Sequence, residues 1–464
     1  MRDVGVAVIG GGITGLAAAL RLHERVGDAG WLLLEAEHRL GGKIRTERRD
    51  GLVIEGGPDC FLAAKPGGMA FCRALDLTER LRGTNPACRR TYITRRGRLH
   101  ELPEGLSGLV PSRLGLLLRT QLLSPMGRFR AGLELFVPRG AASRDESIAA
   151  FVTRRFGAEA WHWLVEPLLA GIFAGDGTRL SVQATFPRLL VDEQREGSVL
   201  RALMKRRPAG TDPGPGFVTL SGGLAELVEA AVARLPTEAW RTGVRVAALD
   251  RTATGYRLHL ADGGEVVAER VILATPAFAS AALLKGLAPE LARELAAIPY
   301  VSTATVSLTF PVRAIPRPLD GYGYVSPRAE GGPIVACTWT SNKFPGRVPD
   351  GQVLIRFFLG RAGEEDIVAA DDDTLVGTVR AELSRRFGVR ASPATASVFR
   401  WPRGMPQYHV GHGARLERID RLVERLPGIA LAGAAYRGVG IPDCITQGWA
   451  AADRVLPRVP AEVA

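Results

Sequence analysis

A short, unbroken apolar run opens the chain, VGVAVIG at residues 4–10, and passes directly into GGGITGLAAALRLHE. A run without polar alternation reads as a strand buried on both faces of a parallel sheet. Alanine and leucine favour a helix in the stretch that follows. A second apolar run, WLLLE, begins at Trp31 and ends on Glu35. Strand, tight turn, helix and strand in that order predict an α/β domain with Rossmann-like topology, within a chain that is α+β overall.

Further along, residues 71–82 have the spacing of a surface helix. Residues 114–123, 129–136 and 147–156 also show helical spacing, broken by Pro111, Pro125 and Pro138, which predicts a helical insert. MKRRPAGTDPGPG, residues 204–216, is linker-like. A glycine pair and a helix follow, then a strand over 242–246, a hairpin around Asp262 and Gly263, and a buried strand ending at Thr275. Residues 303–310, 333–340 and 352–360 alternate like strands, and 288–297 and 373–387 read as helices. Together they predict a second, mixed sheet. Near the C-terminus a strand ends at Gly433, a glycine loop follows, and a helix starts near Pro442.

At 464 residues the chain exceeds one ordinary core and predicts two or three domains. With 46% hydrophobic and 23% charged residues, large disordered tails are not expected. The net charge of +12 is spread over many arginines. It is compatible with a generally basic composition, an anionic substrate or an anionic membrane surface. No basic run is interleaved with aromatics, so nucleic acid is not an expected partner. Five cysteines, Cys60, Cys72, Cys88, Cys337 and Cys444, form no C-x-x-C pair. Neither a disulfide framework nor a zinc or other metal site is indicated, which fits a reducing compartment. No leader is expected before the first strand, and no apolar run approaches the roughly 18–20 residues that span a bilayer. The expectation is a cytoplasmic protein. Residues 110–139 mix leucines with Arg113, Arg119, Arg128, Arg130 and Arg139. They either rest peripherally on the inner face of a membrane or pack on their own domain.

Gly10, Gly12 and Gly15 are spaced G-x-G-x-x-G between the first strand and helix. The first allows the tight turn, the second lets a pyrophosphate approach the backbone, and the third lets helix and strand pack closely. The helix start adds N–H groups and partial positive charge. Glu35 stands about 20 residues further on, where an acid hydrogen-bonds a ribose hydroxyl. Gly10, Gly11, Gly12, Ile13, Thr14, Gly15, Glu35 and Ala36 are thus candidate dinucleotide contacts.

Arg39-Leu40-Gly41-Gly42-Lys43 follows directly. It resembles the R-x-G-G-[RK] element of the amine-oxidase and porphyrinogen-oxidase superfamily of flavoproteins. The resemblance implies FAD, with Arg39, Gly42 and Lys43 turned toward its phosphates. It also places Gly57, Pro58, Asp59 and Cys60 along the flavin ring. Gly433, Val439, Gly440 and Ile441 would meet the phosphates and the N1–C2=O edge, and Val246 and Trp401 complete the implied contacts.

GGGITGLAAA, RLGGKI, EGGPDCFL, EPLLAGIFAGD, CTWT, RWPRGMPQYHVGH and GVGIPDC resemble, over nearly the whole chain, the HemY-type porphyrinogen oxidases. The resemblance implies a non-covalently bound FAD and a six-electron oxidation of a porphyrinogen. Dioxygen would be the acceptor, giving hydrogen peroxide, and the product would pass to the next haem-pathway enzyme. It implies FAD-binding segments at 1–85, 206–280 and 425–464, a helical insert at 86–205 and a substrate domain at 281–424. Leu168 would pack on the macrocycle, the Gly171 carbonyl would meet pyrrole N–H groups, and Lys65 would hold a propionate. The family divides by substrate. Lys65 stands where protoporphyrinogen IX enzymes usually carry arginine, so the resemblance leans to coproporphyrinogen III. That substrate has four propionates, and Lys343 is a second candidate cation. No histidine–carboxylate or serine triad is evident, and His409 and His412 read as structural. The alternatives are a protoporphyrinogen IX oxidase, a flavin amine oxidase or desaturase, and a non-catalytic carrier like the Rab GDP-dissociation inhibitors.

Overall fold

The computed structural model describes residues 2–28, 30–102, 106–107, 110–111, 120–141, 145–205 and 216–456. The first strand, Arg2–Ile9, pairs in parallel with Trp31–Leu34 on one side and Glu265–Leu273 on the other. The sheet order is Trp240–Arg241, Trp31–Leu34, Arg2–Ile9, Glu265–Leu273, Tyr256–Leu260 and Val246–Arg251. Ile429–Leu431 pairs with the far end of Glu265–Leu273, beyond the hairpin. Ala7, Val8, Leu32, Leu33, Val271 and Ile272 are fully buried, because helices cover both faces. One face packs the Ile13–Val26 helix and the last helix, Ile441–Val455. The other packs Ala277–Leu284, Pro289–Ala296 and His412–Glu424. This arrangement explains why those strands read as continuous apolar runs.

The second sheet runs Thr395–Pro406, Tyr300–Pro311, Gln352–Leu359, Ile334–Trp339, Gly323–Val325, Thr91–Arg95 and Arg98–Glu101. The Asp372–Phe387 helix lays Leu375, Val379, Leu383 and Phe387 on it, and Asp371 caps that helix by accepting the Thr374 N–H at 2.8 Å. The three alternating segments expected at 303–310, 333–340 and 352–360 are its central strands.

Several expectations change. The helix expected at 71–82 is Pro66–Ala74. Pro66 suits a first helical position, and Phe71 is buried against the core rather than on the surface. Residues 242–246 do not form one strand: Gly243 turns at positive φ, and the strand begins at Val246. Residues 129–136 divide into the end of the Pro125–Gly132 helix and a tighter turn, Leu133–Phe136. The 86–205 stretch is not helical throughout, since it contributes Thr91–Arg95 and Arg98–Glu101 to the second sheet. Most of the helix expected at 114–123, and the linker core at 206–215, lie outside the described residues. The described part of 110–139 buries Leu122, Leu123 and Ala131 and exposes Met126, Phe129 and Phe136. Among the described residues, no helix is long and apolar enough to cross a membrane.

Candidate functional site

The turn after the first strand is built by exclusion of side chains. Gly10 sits at φ +105°, and a Cβ on Gly15 would fall 1.8 Å from the Gly10 carbonyl oxygen. The strand-to-helix junction therefore admits only glycine at both positions. Gly12 differs: a Cβ there would meet only the Gly42 Cα, at 4.0 Å. The space beside it is open, and the helix that starts there has no side-chain cap and no acid in its first turn.

The second glycine loop closes on the first. Gly41 N donates to Gly11 O at 2.8 Å, and Gly12 and Gly41 form an isolated bridge. Glu35 receives Gly11 N at 2.6 Å and Glu37 N at 2.8 Å, so its carboxylate lies at the turn. Gly243 N and Val244 N donate to Glu37 O and Glu35 O, which draws Ala36 and the start of the Val246–Arg251 strand to the same rim. Arg39 is exposed but folds back on its own loop. Its guanidinium is curled onto the Leu40, Gly42 and Ile44 carbonyls and shapes its own loop. Lys43 is mostly buried with no carboxylate among the described residues to offset it, and burial holds its ammonium below the ordinary lysine pKa. A buried, unmatched cation is costly unless an anion joins it.

The third loop arrives from the C-terminus. A Cβ on Gly433 would stand 3.9 Å from Thr14 Oγ1, and one on Gly448 2.3 Å from Thr14 O. The Ile441–Val455 helix therefore starts against the first helix. Cys444 sits beside Thr14 and Lys43; burial raises its thiol to about 11. Gly438, Val439, Gly440 and Ile441 are thus brought to the same place as residues 10–15 and 42–43.

The G-P segment passes between this cluster and the second sheet. A Cβ on Gly57 would lie 1.8 Å from Lys43 O. Gly56 O accepts Trp401 Nε1 at 2.8 Å and Thr305 Oγ1 at 3.1 Å. Gly57 O accepts the Arg356 guanidinium. Beyond Pro58, Asp59 pairs with Lys343 at 2.9 Å. Burial alone would raise the Asp59 carboxyl, but Lys343 and Arg356 hold it well below the carboxylate range. Lys343, expected as a second substrate cation, is thus largely buried and matched by a carboxylate. Cys60 donates to Asp59, and burial pushes its thiol far up.

Lys65 immediately precedes the Pro66–Ala74 helix without capping it through its side chain, and lies 2.5 Å from Asp443 while keeping 45% of its side chain exposed. Leu168 and Gly171 lie on the Glu166–Phe173 helix, which follows a five-residue π-helical turn. Such turns recur at functional sites. Leu168, Val325 and Val439 pack on one apolar cluster, and Gly171 abuts Val325. The candidate substrate helix therefore meets the C-terminal loop. Arg356 and Thr305 were not foreseen: they reach Gly57 and Gly56 only through strand register, and no local motif marks them.

The arrangement suits an extended anionic dinucleotide: open space at Gly12, an uncapped helix start, an unmatched Lys43 and a carboxylate at the turn. Fold and site together define a dinucleotide-binding oxidoreductase. More narrowly, the chain belongs to the flavin containing amine oxidoreductase family, which it matches over residues 13–456. It is 37% identical to the coproporphyrinogen III oxidase of Bacillus subtilis (strain 168) over 97% of both chains. It is 32% identical to the protoporphyrinogen oxidase of Bos taurus over 98% of this chain and 99% of the other. A crystal structure from Exiguobacterium sp. 255-15, provisionally named a protoporphyrinogen oxidase, superposes with a TM-score of 0.86 at 32% identity, covering 97% of this chain and 98% of that one.

Proposed function

We propose that this chain is an FAD-dependent coproporphyrinogen III oxidase that uses dioxygen as acceptor. The observation carrying the reading is the full-length likeness to relatives of that name, 37% identical in the Bacillus subtilis case, joined to a lysine at position 65. Bound FAD supplies two-electron oxidation, so three turnovers remove six electrons. The chain's own residues bind and orient. Residues 10–15, Glu35 and Lys43 hold the dinucleotide, Gly57–Cys60 run along the ring, Leu168 packs on the macrocycle and the Gly171 carbonyl accepts from pyrrole N–H groups. Lys65 exchanges Asp443 for a propionate. Positioning, rather than a dedicated acid–base pair, carries the rate.

FAD is held without a covalent link. Burial keeps the thiols of Cys60, Cys72, Cys337 and Cys444 protonated, so none is a ready nucleophile. In this reading residues 1–85, 206–280 and 425–464 serve FAD, 281–424 form the substrate floor, and 86–205 close the substrate side. Parallel steady-state oxidation of coproporphyrinogen III and protoporphyrinogen IX, read by porphyrin fluorescence with peroxide measured alongside, tests the proposal. A higher kcat/KM for coproporphyrinogen III with peroxide formed supports it; preference for protoporphyrinogen IX moves the chain to the other substrate type.

A further inference from the structure

The MPQYH run at 405–409 lies where the second sheet, the Glu166–Phe173 helix and the 433–440 loop meet. Tyr408 is buried at 2% exposure. Its hydroxyl donates to Ala434 O at 2.7 Å and accepts the Gly438 N–H at 2.9 Å. Its ring stacks on the His412 imidazole, with centroids 4.1 Å apart and planes 9° apart. His412 Nε2 in turn lies 3.0 Å from Tyr436 O. Three alternate loop residues, 434, 436 and 438, are thus held by one aromatic pair. Gly433 and Gly438 both sit at positive φ, and no strand ladder runs through this loop. Side chains must satisfy its buried backbone groups, and the Tyr408 hydroxyl serves two of them immediately before Val439–Ile441.

Gln407, one residue earlier, is 1% exposed and serves the other side. Its Nε2 donates to Phe173 O at 3.0 Å and Met405 O at 3.1 Å. Phe173 is the last residue of the helix that carries Leu168 and Gly171. The carbonyls at a helix end lack helical partners, and Gln407 supplies one of them.

We propose that Gln407 and Tyr408 are positioning residues with separate tasks: Tyr408 sets the flavin loop and Gln407 sets the substrate helix, so that two adjacent residues align cofactor and substrate. The inference rests on the reading of the protein as an FAD-dependent porphyrinogen oxidase. The test uses the full chain with two variants. Tyr408→Phe keeps the ring stack and loses the hydroxyl. Gln407→Met keeps the length and loses the donor, and Gln407→Glu replaces it if the methionine variant does not fold. FAD affinity is measured by reconstituting the apoprotein, and KM and kcat with coproporphyrinogen III.

Tyr408→Phe should raise the FAD Kd about tenfold, in keeping with a lost buried hydrogen bond, with KM at saturating FAD nearly unchanged. The Gln407 variant should raise KM about tenfold while leaving the FAD Kd nearly unchanged. A wild type that binds FAD and turns over while both variants move both readings alike, or move only the melting temperature, overturns the proposal alone. A wild type that holds no flavin overturns the reading beneath it, and the proposal with it.

Discussion

Lys343 and Asp59 form an ion pair at 2.9 Å between the second sheet and the G-P segment, with side chains only 16% and 14% exposed. Arg356 stands beside them, donating to Gly57 O while its Nε and Nη1 lack partners among the described residues. The segment expected along the flavin ring is therefore fixed from below by charge. Removing Lys343 leaves the buried Asp59 with Arg356 as its remaining cation, and breaking a buried pair from one side costs up to roughly 3–5 kcal/mol. Lys343→Met should lose stability on that scale, and the double variant Lys343→Met with Asp59→Asn should recover most of it. Urea unfolding of the four proteins in the cycle checks this; equal losses in the single and double variants would contradict it.

The two glycines at the first turn should fail differently. A side chain on Gly15 meets backbone at 1.8 Å, while one on Gly12 meets only Gly42 Cα at 4.0 Å. Gly15→Ala is expected to unfold the domain. Gly12→Val should fold, with an apoprotein melting temperature close to wild type, yet purify without flavin. A yellow, fully loaded Gly12→Val protein would refute the cradle.

Lys65→Ala tests the substrate side. The ammonium is partly exposed, so the proposed ion pair with a propionate is worth about 1 kcal/mol or less. KM should rise by roughly two- to fivefold, more than kcat falls. An unchanged KM would remove Lys65 from the substrate contacts.

His412 gives the chain a pH dependence of definite sign. Burial lowers its pKa, the hydrogen bond with Tyr436 O opposes this in part, and Arg415, Arg437 and His409 lower it further, so the net shift is downward. The folded state therefore holds the imidazole neutral, and its contribution to stability is fully present above the ordinary histidine pKa near 6.5. It is lost as pH falls through that value, because the unfolded chain takes up the proton first. Between pH 7.5 and 5 the wild type should lose more stability than His412→Asn. Urea midpoints across that range decide; parallel slopes would contradict the assignment.

What the sequence disclosed and what it hid follow from locality. The glycine turns were legible because their constraints lie within a few residues: Gly10 and Gly15 touch each other. The buried strands were legible because both faces are covered. Thr395–Pro406 was missed because it is an edge strand that carries the exposed Pro402 and Arg403, a position where proline is tolerated and alternation weakens. The pairing of Lys343 with Asp59 was hidden because nothing local reveals that residue 59 lies opposite it. Arg356 and Tyr408 escaped for the same reason: their partners are set by sheet register and loop docking.

The flavin content of the purified chain tests the convergence of the three glycine loops most directly. The expected result is about one FAD per chain by absorbance, released into the supernatant on heat denaturation, as a non-covalent cofactor must be. A colourless protein that takes up no FAD, or flavin that stays with the precipitated chain, would contradict it.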